Sequence, residues 1–312
     1  MPDDTLKGRH FLDVADFSPA ELNGLLDAAL ALKAKLRAGD ATPILPGRAL
    51  AMVFMKKSTR TRVSFEVGIQ QLGGIALFLA GSELQLGHGE TIRDTALTLS
   101  RYVHAVMIRA VDHADVAEFA RHATVPVING MSGTSHPCQT LADLLTMREH
   151  FGRVRGLKVV YLGAGLNVGT SLMVGCSKLG AHFIFCGPEG FEPPSAALDK
   201  ARRFSADSDA LLRLERDPYA AVRDADVVCT DGWTPPELEA ESVARAKKLA
   251  PYRVDAALLS AAGPQARVMH CLPAHYGEEI TEDVVHSSQS IVFDEAENRL
   301  HAQKAIMAAV IR

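Results

Sequence analysis

Five consecutive residues at positions 58–62, Ser-Thr-Arg-Thr-Arg, combine hydroxyl and guanidinium side chains. The apolar segment before them predicts a strand that ends near Lys56, and a helix is predicted to begin about Thr59 with Ser58 as its N-cap. A helix start offers backbone N–H groups and the positive end of the helix dipole, to which Ser, Thr and Arg side chains add donors. The stretch therefore predicts either a phosphate-binding site or a capped helix with solvated arginines.

Further polar groups stand where other predicted strands end. His136 and Gln139 lie in INGMSGTSHPCQ, after the apolar segment VPVIN and before a long helix, so both side chains could face one ligand. The alternative is a helix that begins at a proline and leaves its histidine exposed. Arg109 closes the apolar segment AVMIR, and ligands of open α/β sheets bind at such strand ends.

Three glycines in YLGAGLNVG, Gly163, Gly165 and Gly169, follow one predicted strand and open a helix. The pattern is related to the dinucleotide-binding fingerprint, but its spacing is G-x-G-x-x-x-G rather than G-x-G-x-x-G. The next predicted strand, HFIFCGPEG, has no acidic residue at its end before Glu189. These glycines are therefore weak evidence for a nicotinamide cofactor.

The second half of the chain places reactive groups after its predicted strands. Cys271 lies in MHCLPAH, and Asp231 lies in TDGWTPPE together with Trp233, the chain's only tryptophan. A single cysteine is usually inert packing, and that interpretation stays open for Cys271. Arg299 lies in DEAENRLHAQKA, on or near a terminal helix, where an exposed surface arginine is the simplest interpretation.

Apolar segments alternate with segments of helical periodicity, which predicts an α/β fold of parallel sheets flanked by helices. A capping box with proline at the first helical position, Ser18-Pro19-Ala20-Glu21, begins the first helix. A helix predicted over 139–152 lies near the domain boundary. We predict one domain of residues 1–140 joined by a C-terminal helix at 295–312, and a second domain of residues 141–294.

Composition narrows the class of protein. The chain has 312 residues, of which 47% are hydrophobic and 22% charged, which suits about two globular domains. Its net charge of −4 gives no general attraction to nucleic acid or to an anionic membrane. The five cysteines are widely spaced and form no C-x-x-C pair, which argues against a disulfide framework or structural zinc. With no export signal or membrane span visible, we predict a cytoplasmic protein.

Five segments together resemble the aspartate/ornithine carbamoyltransferase family, and within it the ornithine carbamoyltransferases. In family order and at family spacing, they are STRTR (58–62), LQLGHGE (84–90), HPCQ (136–139), HCLPA (270–274) and DEAENRLH (294–301). HCLP, with the segment around Asp231, separates the pattern from the aspartate carbamoyltransferases. The resemblance implies the carbamoyltransferase fold, with two domains that are each a parallel sheet flanked by helices.

The resemblance also implies a reaction and its residues. The carbamoyl group of carbamoyl phosphate passes to the side-chain amine of L-ornithine, giving citrulline and phosphate in arginine biosynthesis. The family's carbamoyl phosphate-binding positions correspond to Ser58, Thr59, Arg60, Thr61, Gln85, Arg109, His136, Gln139, Cys271, Leu272 and Arg299. Its ornithine-binding positions correspond to Asn167 and Asp231, and its catalytic positions to Arg109, His136, Asp231 and Cys271.

Further expectations follow from the same resemblance. The protein should form a homotrimer or a multiple of it, with Gln85 reaching into the site of a neighbouring subunit. No metal or organic cofactor is expected, because carbamoyl phosphate is already activated. The sequence leaves open the direction of flux, any allosteric effector, and which of Asp231 and Cys271 accepts the amine proton.

One segment departs from the family pattern. Ornithine enzymes usually carry Ser-Met-Gly shortly after Asp-x-Trp, where residues 231–237 here read Asp-Gly-Trp-Thr-Pro-Pro-Glu. The prolines, Pro235 and Pro236, remove a hydroxyl and two backbone N–H donors. Leu166 replaces one of two usual asparagines, and Gly133 replaces an acidic residue. A carbamoyltransferase for an N-acylated ornithine or a diamine is therefore one alternative, and a non-catalytic homologue that binds a phosphometabolite is another.

Overall fold

The computed structural model describes residues 4–85 and 89–312, so the middle of the LQLGHGE segment, 86–88, lies outside the described residues. The chain divides into two compact units. We call Met1–Leu145 with Glu297–Arg312 unit 1, and Thr146–Ala296 unit 2. None of the helices in the described part of the chain combines the length and the apolar character needed to cross a bilayer.

A four-stranded parallel sheet forms the centre of unit 1 in the order β2-β1-β3-β4. Its strands are β1 (Ala49–Phe54), β2 (Ile75–Ala80), β3 (Ala105–Arg109) and β4 (Val127–Met131). Every residue of β1 is buried, as expected of an inner parallel strand covered on both faces. The edge strand β2 instead alternates exposed and half-buried residues over its first half.

A five-stranded parallel sheet forms the centre of unit 2 in the order β7-β6-β5-β8-β9. Its strands are β5 (Lys158–Leu162), β6 (His182–Cys186), β7 (Leu212–Glu215), β8 (Val227–Thr230) and β9 (Arg267–His270). Buried residues of β5, β6, β8 and β9, among them Val160, Ile184, Val228 and Val268, belong to a common apolar cluster.

Helices connect these strands. In chain order they are α1 (Pro19–Arg37), α2 (Thr59–Gln71), α3 (Ile92–Tyr102), α4 (His113–His122), α5 (Pro137–Phe151), α6 (Asn167–Leu179), α7 (Ser195–Ser208), α8 (Pro218–Val222), α9 (Ser242–Leu249), α10 (Ala256–Ala262), α11 (Glu282–Val285) and α12 (Val292–Val310). Most of α12 belongs to unit 1, although unit 2 precedes it in the chain.

The predicted fold class is confirmed, and so is the start of α1. The Ser18 side chain accepts the backbone N–H of Glu21 at 3.2 Å, and Glu21 Oε2 accepts the N–H of Ser18 at 2.6 Å. Strand β1, predicted to end near Lys56, ends earlier at Phe54. The prediction missed β7, because this edge strand reads LRLE and none of its residues is buried, so it lacks the apolar signal of the inner strands.

Candidate active site

The hydroxyl-arginine stretch forms the start of α2. Ser58 has extended backbone and is the N-cap: its Oγ accepts the backbone N–H of Thr61 at 3.2 Å and lies 3.1 Å from Thr61 Oγ1. Thr61 is buried, Arg60 is half-buried and Thr59 is exposed. The first-turn N–H groups of Thr59 and Arg60 have no acceptor within an α-helix. These N–H groups are therefore available to an anion, and the predicted phosphate site at this helix start stays a prediction.

Arg109 reaches the same edge of the sheet through strand pairing. It ends β3 opposite Phe54 of β1, and its carbonyl accepts the N–H of Met55 at 2.9 Å. The carboxyl ends of parallel neighbours lie at one edge of the sheet, so the Arg109 side chain leaves the sheet where the chain turns toward α2. Burial lowers the pKa of Lys56, and the positive charge of Arg109 lowers it further.

Arg299 of α12 is bound between two other helices of unit 1. Its side chain is buried, with Nη1 donating to Gln139 Oε1 at 2.7 Å and Nη2 donating to Thr61 Oγ1 at 3.2 Å. The Gln139 amide is oriented in turn, because its Nε2 donates to Asp143 Oδ1 at 2.8 Å. The interpretation of Arg299 as an exposed surface arginine is wrong, since α12 packs into unit 1 and its guanidinium joins α2 to α5.

His136 is a buried, neutral hydrogen-bonding group. It is only 5% exposed, so its interpretation as an exposed histidine is wrong. Burial holds its pKa well below the ordinary value of 6.5, and the positive charges of Arg299, Arg109 and Arg60 lower it further. The Gln139 backbone N–H points at Nδ1 over 3.4 Å, which leaves the proton of the neutral ring on Nε2. His136 can therefore donate to an oxygen without carrying charge.

These contacts define what we call the unit 1 cluster: Ser58, Thr59, Arg60, Thr61, Arg109, His136, Gln139 and Arg299. It combines guanidinium groups, a neutral imidazole and a helix start, and it suits a doubly charged anion with an attached carbonyl group. Gln85 is not joined to it within one chain. The Gln85 side chain is exposed and makes no hydrogen bond to the cluster among the described residues.

Asp231 and Cys271 meet in unit 2 because their strands are neighbours. Thr230 of β8 pairs with His270 of β9, so the next residue of each strand leaves the sheet side by side. The Cys271 thiol donates to Asp231 Oδ1 at 3.0 Å, and the Gly232 N–H donates to the same oxygen at 2.7 Å. Cys271 is half-buried and not part of a fully buried core, and its role stays a prediction. A carboxylate with a thiol beside it suits an incoming amine.

The turn after Cys271 is held by a buried carboxylate that sequence reasoning missed. Leu272 has φ +58, and its N–H donates to His270 Nδ1 at 2.8 Å. His270 Nε2 then donates to Glu279 Oε1 at 3.1 Å, and the same oxygen accepts the His275 N–H at 2.6 Å. Burial raises the pKa of Glu279, but the hydrogen bonds from His270 and His275 outweigh it and the net shift is downward. Glu279 thereby fixes both sides of the HCLPA turn.

Asn167 is the first residue of α6, and its Oδ1 accepts the Val168 N–H at 2.8 Å. With Asp231, Cys271 and Leu272 it completes what we call the unit 2 cluster. Strand order places Asn167 at the same edge of the sheet as Asp231, because β5 lies beside β8 and Leu162 pairs with Thr230.

Packing accounts for the glycines of YLGAGLNVG. A Cβ at Gly165 would lie 2.2 Å from the Pro193 nitrogen, and one at Gly169 would lie 2.6 Å from the Tyr161 ring. Gly163 has φ +118, and a Cβ there would lie 2.9 Å from Nε1 of the Trp233 indole. Each position needs glycine without any nucleotide.

Two family models together match nearly the whole chain. Residues 9–149 match the carbamoyl-P binding domain of aspartate/ornithine carbamoyltransferase, and residues 155–310 match its Asp/Orn binding domain. The chain belongs to the aspartate/ornithine carbamoyltransferase family.

Several relatives similar to this chain are named ornithine carbamoyltransferases. The chain is 50% identical over 307 residues to the ornithine carbamoyltransferase of Thermococcus kodakarensis, with 98% of each chain covered. It is 49% identical to the anabolic ornithine carbamoyltransferase of Pyrococcus furiosus, again over 98% of each. A solved structure of the Pyrococcus furiosus enzyme matches with a TM-score of 0.96 over 98% of each chain. The predicted family is confirmed, and these relatives support ornithine over an acylated ornithine or a diamine.

The neutral His136 of this carbamoyltransferase predicts a loss of stability in acid. Its folded pKa lies below the unfolded value of about 6.5, so between the two values only the unfolded chain binds the proton. The free energy of unfolding should therefore fall as the pH drops below about 6.5, by up to about 1.4 kcal/mol per pH unit from this group. Urea unfolding of His136→Gln from pH 7 to pH 5 should show a weaker pH dependence than the parent.

The control for this measurement is His286→Gln, which changes an exposed histidine of unit 2. It should keep the parental pH dependence. A His136→Gln variant with the full parental slope would contradict the assignment of a neutral, buried imidazole to His136.

Proposed function

We propose that this protein is an enzyme that transfers the carbamoyl group of carbamoyl phosphate to the side-chain amine of L-ornithine, giving citrulline and phosphate. The observation that carries the proposal is the unit 1 cluster, in which Arg299 joins Thr61 and Gln139 beside the anion-binding start of α2. The Asp231–Cys271 pair of unit 2 supplies the groups for an amine. The Pyrococcus furiosus relative is named anabolic, which supports the biosynthetic direction in arginine metabolism.

The unit 1 cluster serves the donor in this proposal. The backbone N–H groups at the start of α2, the Ser58 hydroxyl and the Arg60 guanidinium bind the phosphate. Arg109, the Thr61 hydroxyl and His136 Nε2 bind the carbonyl oxygen, where negative charge develops as the amine adds. Each such donor typically contributes about 3 to 4 kcal/mol to transition-state stabilisation. Because His136 is neutral, it donates without adding a proton to the departing phosphate.

The unit 2 cluster serves the acceptor. An amine with a pKa near 10.4 is neutral in roughly one molecule in 2,500 at pH 7, a handicap of about 4.6 kcal/mol. The C–N bond forms as the C–O bond to phosphate breaks, and the amine nitrogen loses a proton. Asp231 and Cys271, whose hydrogen bond spans 3.0 Å, orient the amine and hold that proton.

A panel of amines tests the proposal. Purified protein is given carbamoyl phosphate with ornithine, N-acetylornithine, putrescine or lysine, and the ureido product is measured. Turnover with ornithine far above the others is expected. Preference for N-acetylornithine or putrescine would show that this amine, and not ornithine, is the substrate. Binding of carbamoyl phosphate without product from any amine would contradict an enzymatic function.

The same panel with a triple variant, P235S/P236M/E237G, isolates the segment that departs from the family pattern. This segment follows Trp233, whose carbonyl accepts two hydrogen bonds from Arg245 at 3.1 and 2.9 Å. A change of acceptor in the triple variant would assign specificity to the prolines. An unchanged preference would assign it to the unit 2 cluster itself.

We further propose that the enzyme is cytoplasmic and self-associates as a homotrimer or a multiple of it. Free cysteines suit a reducing compartment. The edge strand β2 exposes 56% of Ile75 and 43% of Leu77, and Tyr102 of α3 is 72% exposed. An exposed apolar edge strand is a pairing hazard unless another chain covers it. Gln85 follows this strand closely, as a residue that acts in a neighbouring subunit should.

Leu77→Lys is expected to dissociate the oligomer, because it places a charge in the covered edge of unit 1. Light scattering on a sizing column should report three times the chain mass of 33.5 kDa, or a multiple, for the parent and a smaller mass for the variant. Leu214→Lys is the matched control, since Leu214 is an exposed leucine on β7, the edge strand of unit 2. Dissociation by both variants, or by neither, would contradict a β2 interface.

Mixing two inactive variants tests whether Gln85 acts across subunits. Arg60→Ala and Gln85→Ala are each expected to be nearly inactive alone. If Gln85 serves a neighbour's site, mixed oligomers contain some sites in which both residues are intact, and activity returns on mixing. No recovery after verified subunit exchange would show that Gln85 acts in the site of its own subunit and not in that of a neighbour.

A further inference from the structure

The turn that follows the HCLPA segment gathers three metal-binding side chains. His275, Glu278 and Glu279 each offer one ligand atom, and these atoms lie within 4.8 Å of one another. The turn is held by its backbone: the Gly277 N–H donates to the Ile280 carbonyl at 3.0 Å, and the Glu278 N–H donates to the His275 carbonyl at 2.9 Å. Gly277 adopts φ +90, which favours glycine. The three side chains are thus collected by local structure.

The Glu279 carboxylate points one unsatisfied oxygen into this group. The side chain is completely buried, and its Oε1 is used by His270 and by the His275 N–H. Its Oε2 has no hydrogen-bond donor among the described residues, and it lies 3.5 Å from His275 Nδ1. Leaving a charged, buried oxygen without a donor is costly, which points to a ligand for this atom.

We propose that His275 Nδ1, Glu278 and Glu279 Oε2 bind one Zn²⁺ ion, with water completing the coordination. Zinc–nitrogen and zinc–oxygen bonds of about 2.0 to 2.2 Å at a tetrahedral angle place two ligand atoms about 3.4 Å apart, close to the separation observed between Nδ1 and Oε2. Glu278 is exposed, so its side chain can rotate toward the ion. An imidazole among the ligands favours zinc over calcium or magnesium.

This site shares no residue with the Asp231–Cys271 pair, and none of its ligands is a thiol. The His275 ring lies against Gly232, where an added Cβ would be 3.5 Å from Nδ1. The ion would link the HCLPA turn to the buried Glu279 carboxylate that already holds His270. Carbamoyl transfer needs no metal, so the role of the ion is to brace this turn.

Zinc titration of the metal-free full-length protein tests the proposal by calorimetry. One ion per chain is expected to bind, and Zn²⁺ should raise the melting temperature. His275→Ala and Glu278→Gln should each weaken binding by roughly tenfold or more. Both residues are exposed, so these variants should fold, whereas Glu279 also holds the turn and is left intact. The matched controls are His286→Ala and Glu282→Gln, two exposed residues that lie outside the turn.

A cysteine variant and a second metal separate this site from the Cys271 thiol. Cys271→Ser should bind Zn²⁺ as the parent does, and Co²⁺ in place of Zn²⁺ should give a spectrum without a thiolate-to-cobalt charge-transfer band. Loss of binding in Cys271→Ser, equal binding by His275→Ala and the parent, or no saturable binding by the parent would each overturn the proposal. None of these readings depends on carbamoyl transfer, so they stand apart from the assay of the proposed function.

Discussion

Arg60→Ala is expected to lower kcat/KM for carbamoyl phosphate by at least about a thousandfold while the protein stays folded. Arg60 is half-buried in the first turn of α2, so its removal opens no cavity in the core. The phosphate would lose its guanidinium partner, and the negative charge of the leaving group would be matched only by the helix start. A single lost donor of this kind costs about 3 to 4 kcal/mol.

Arg109→Ala should produce a comparable loss for a different reason, because Arg109 is assigned to the carbonyl oxygen. Ureido product formation measures both variants, and circular dichroism with a thermal melt confirms their folding. Lys57→Ala is the matched control, since Lys57 is an exposed cation that precedes the N-cap and has no assigned role. Near-normal activity in either arginine variant would show that the unit 1 cluster does not bind the donor.

Asp231→Asn is expected to reduce kcat/KM for ornithine by roughly a hundredfold to ten-thousandfold, with carbamoyl phosphate binding unchanged. Asparagine keeps an oxygen that can accept from the Cys271 thiol and the Gly232 N–H, but it removes the negative charge that attracts the amine. Steady-state kinetics with each substrate varied in turn measures kcat/KM for ornithine and for carbamoyl phosphate separately. A binding titration then measures the affinity for carbamoyl phosphate.

Cys271→Ser decides which member of the pair handles the proton. Serine keeps a hydroxyl donor toward Asp231, but it does not ionise near neutral pH as a thiol can. A small loss in Cys271→Ser beside a large loss in Asp231→Asn would assign the proton to the carboxylate, and the reverse would assign it to the thiol. If Asp231→Asn turned over ornithine at the parental rate, Asp231 would neither attract the amine nor accept its proton.

Local sequence signals were sufficient for the elements that frame the site. The Ser58 cap, the start of α1 and the inner strands follow from hydroxyl caps and apolar segments, which act over a few residues. The missed strand β7 shows the limit of that signal, because LRLE is an exposed edge strand and carries little hydrophobic pattern.

Contacts between distant residues were beyond local reasoning. Arg299 binds Gln139 across 160 positions and Thr61 across 238, so only the folded chain shows it to be buried and not exposed. Glu279 was overlooked for a related reason, since an acidic residue in a polar turn gives no sign of burial.

Helix α12 contains the last segment of unit 1 to be synthesised, because the whole of unit 2 precedes that segment in the chain. Lys33 donates to Asn298 Oδ1 at 2.7 Å, and Lys304 donates to Gln71 Oε1 at 2.9 Å, so α12 supplies partners to both α1 and α2. The ribosome must first translate Thr146–Ala296, which takes roughly 8 to 30 seconds at ordinary elongation rates. During that interval the nascent unit 1 lacks these partners and the Arg299 guanidinium. Unit 2 is continuous in the chain, so we expect it to finish folding first, while the emerging unit 1 depends on chaperones.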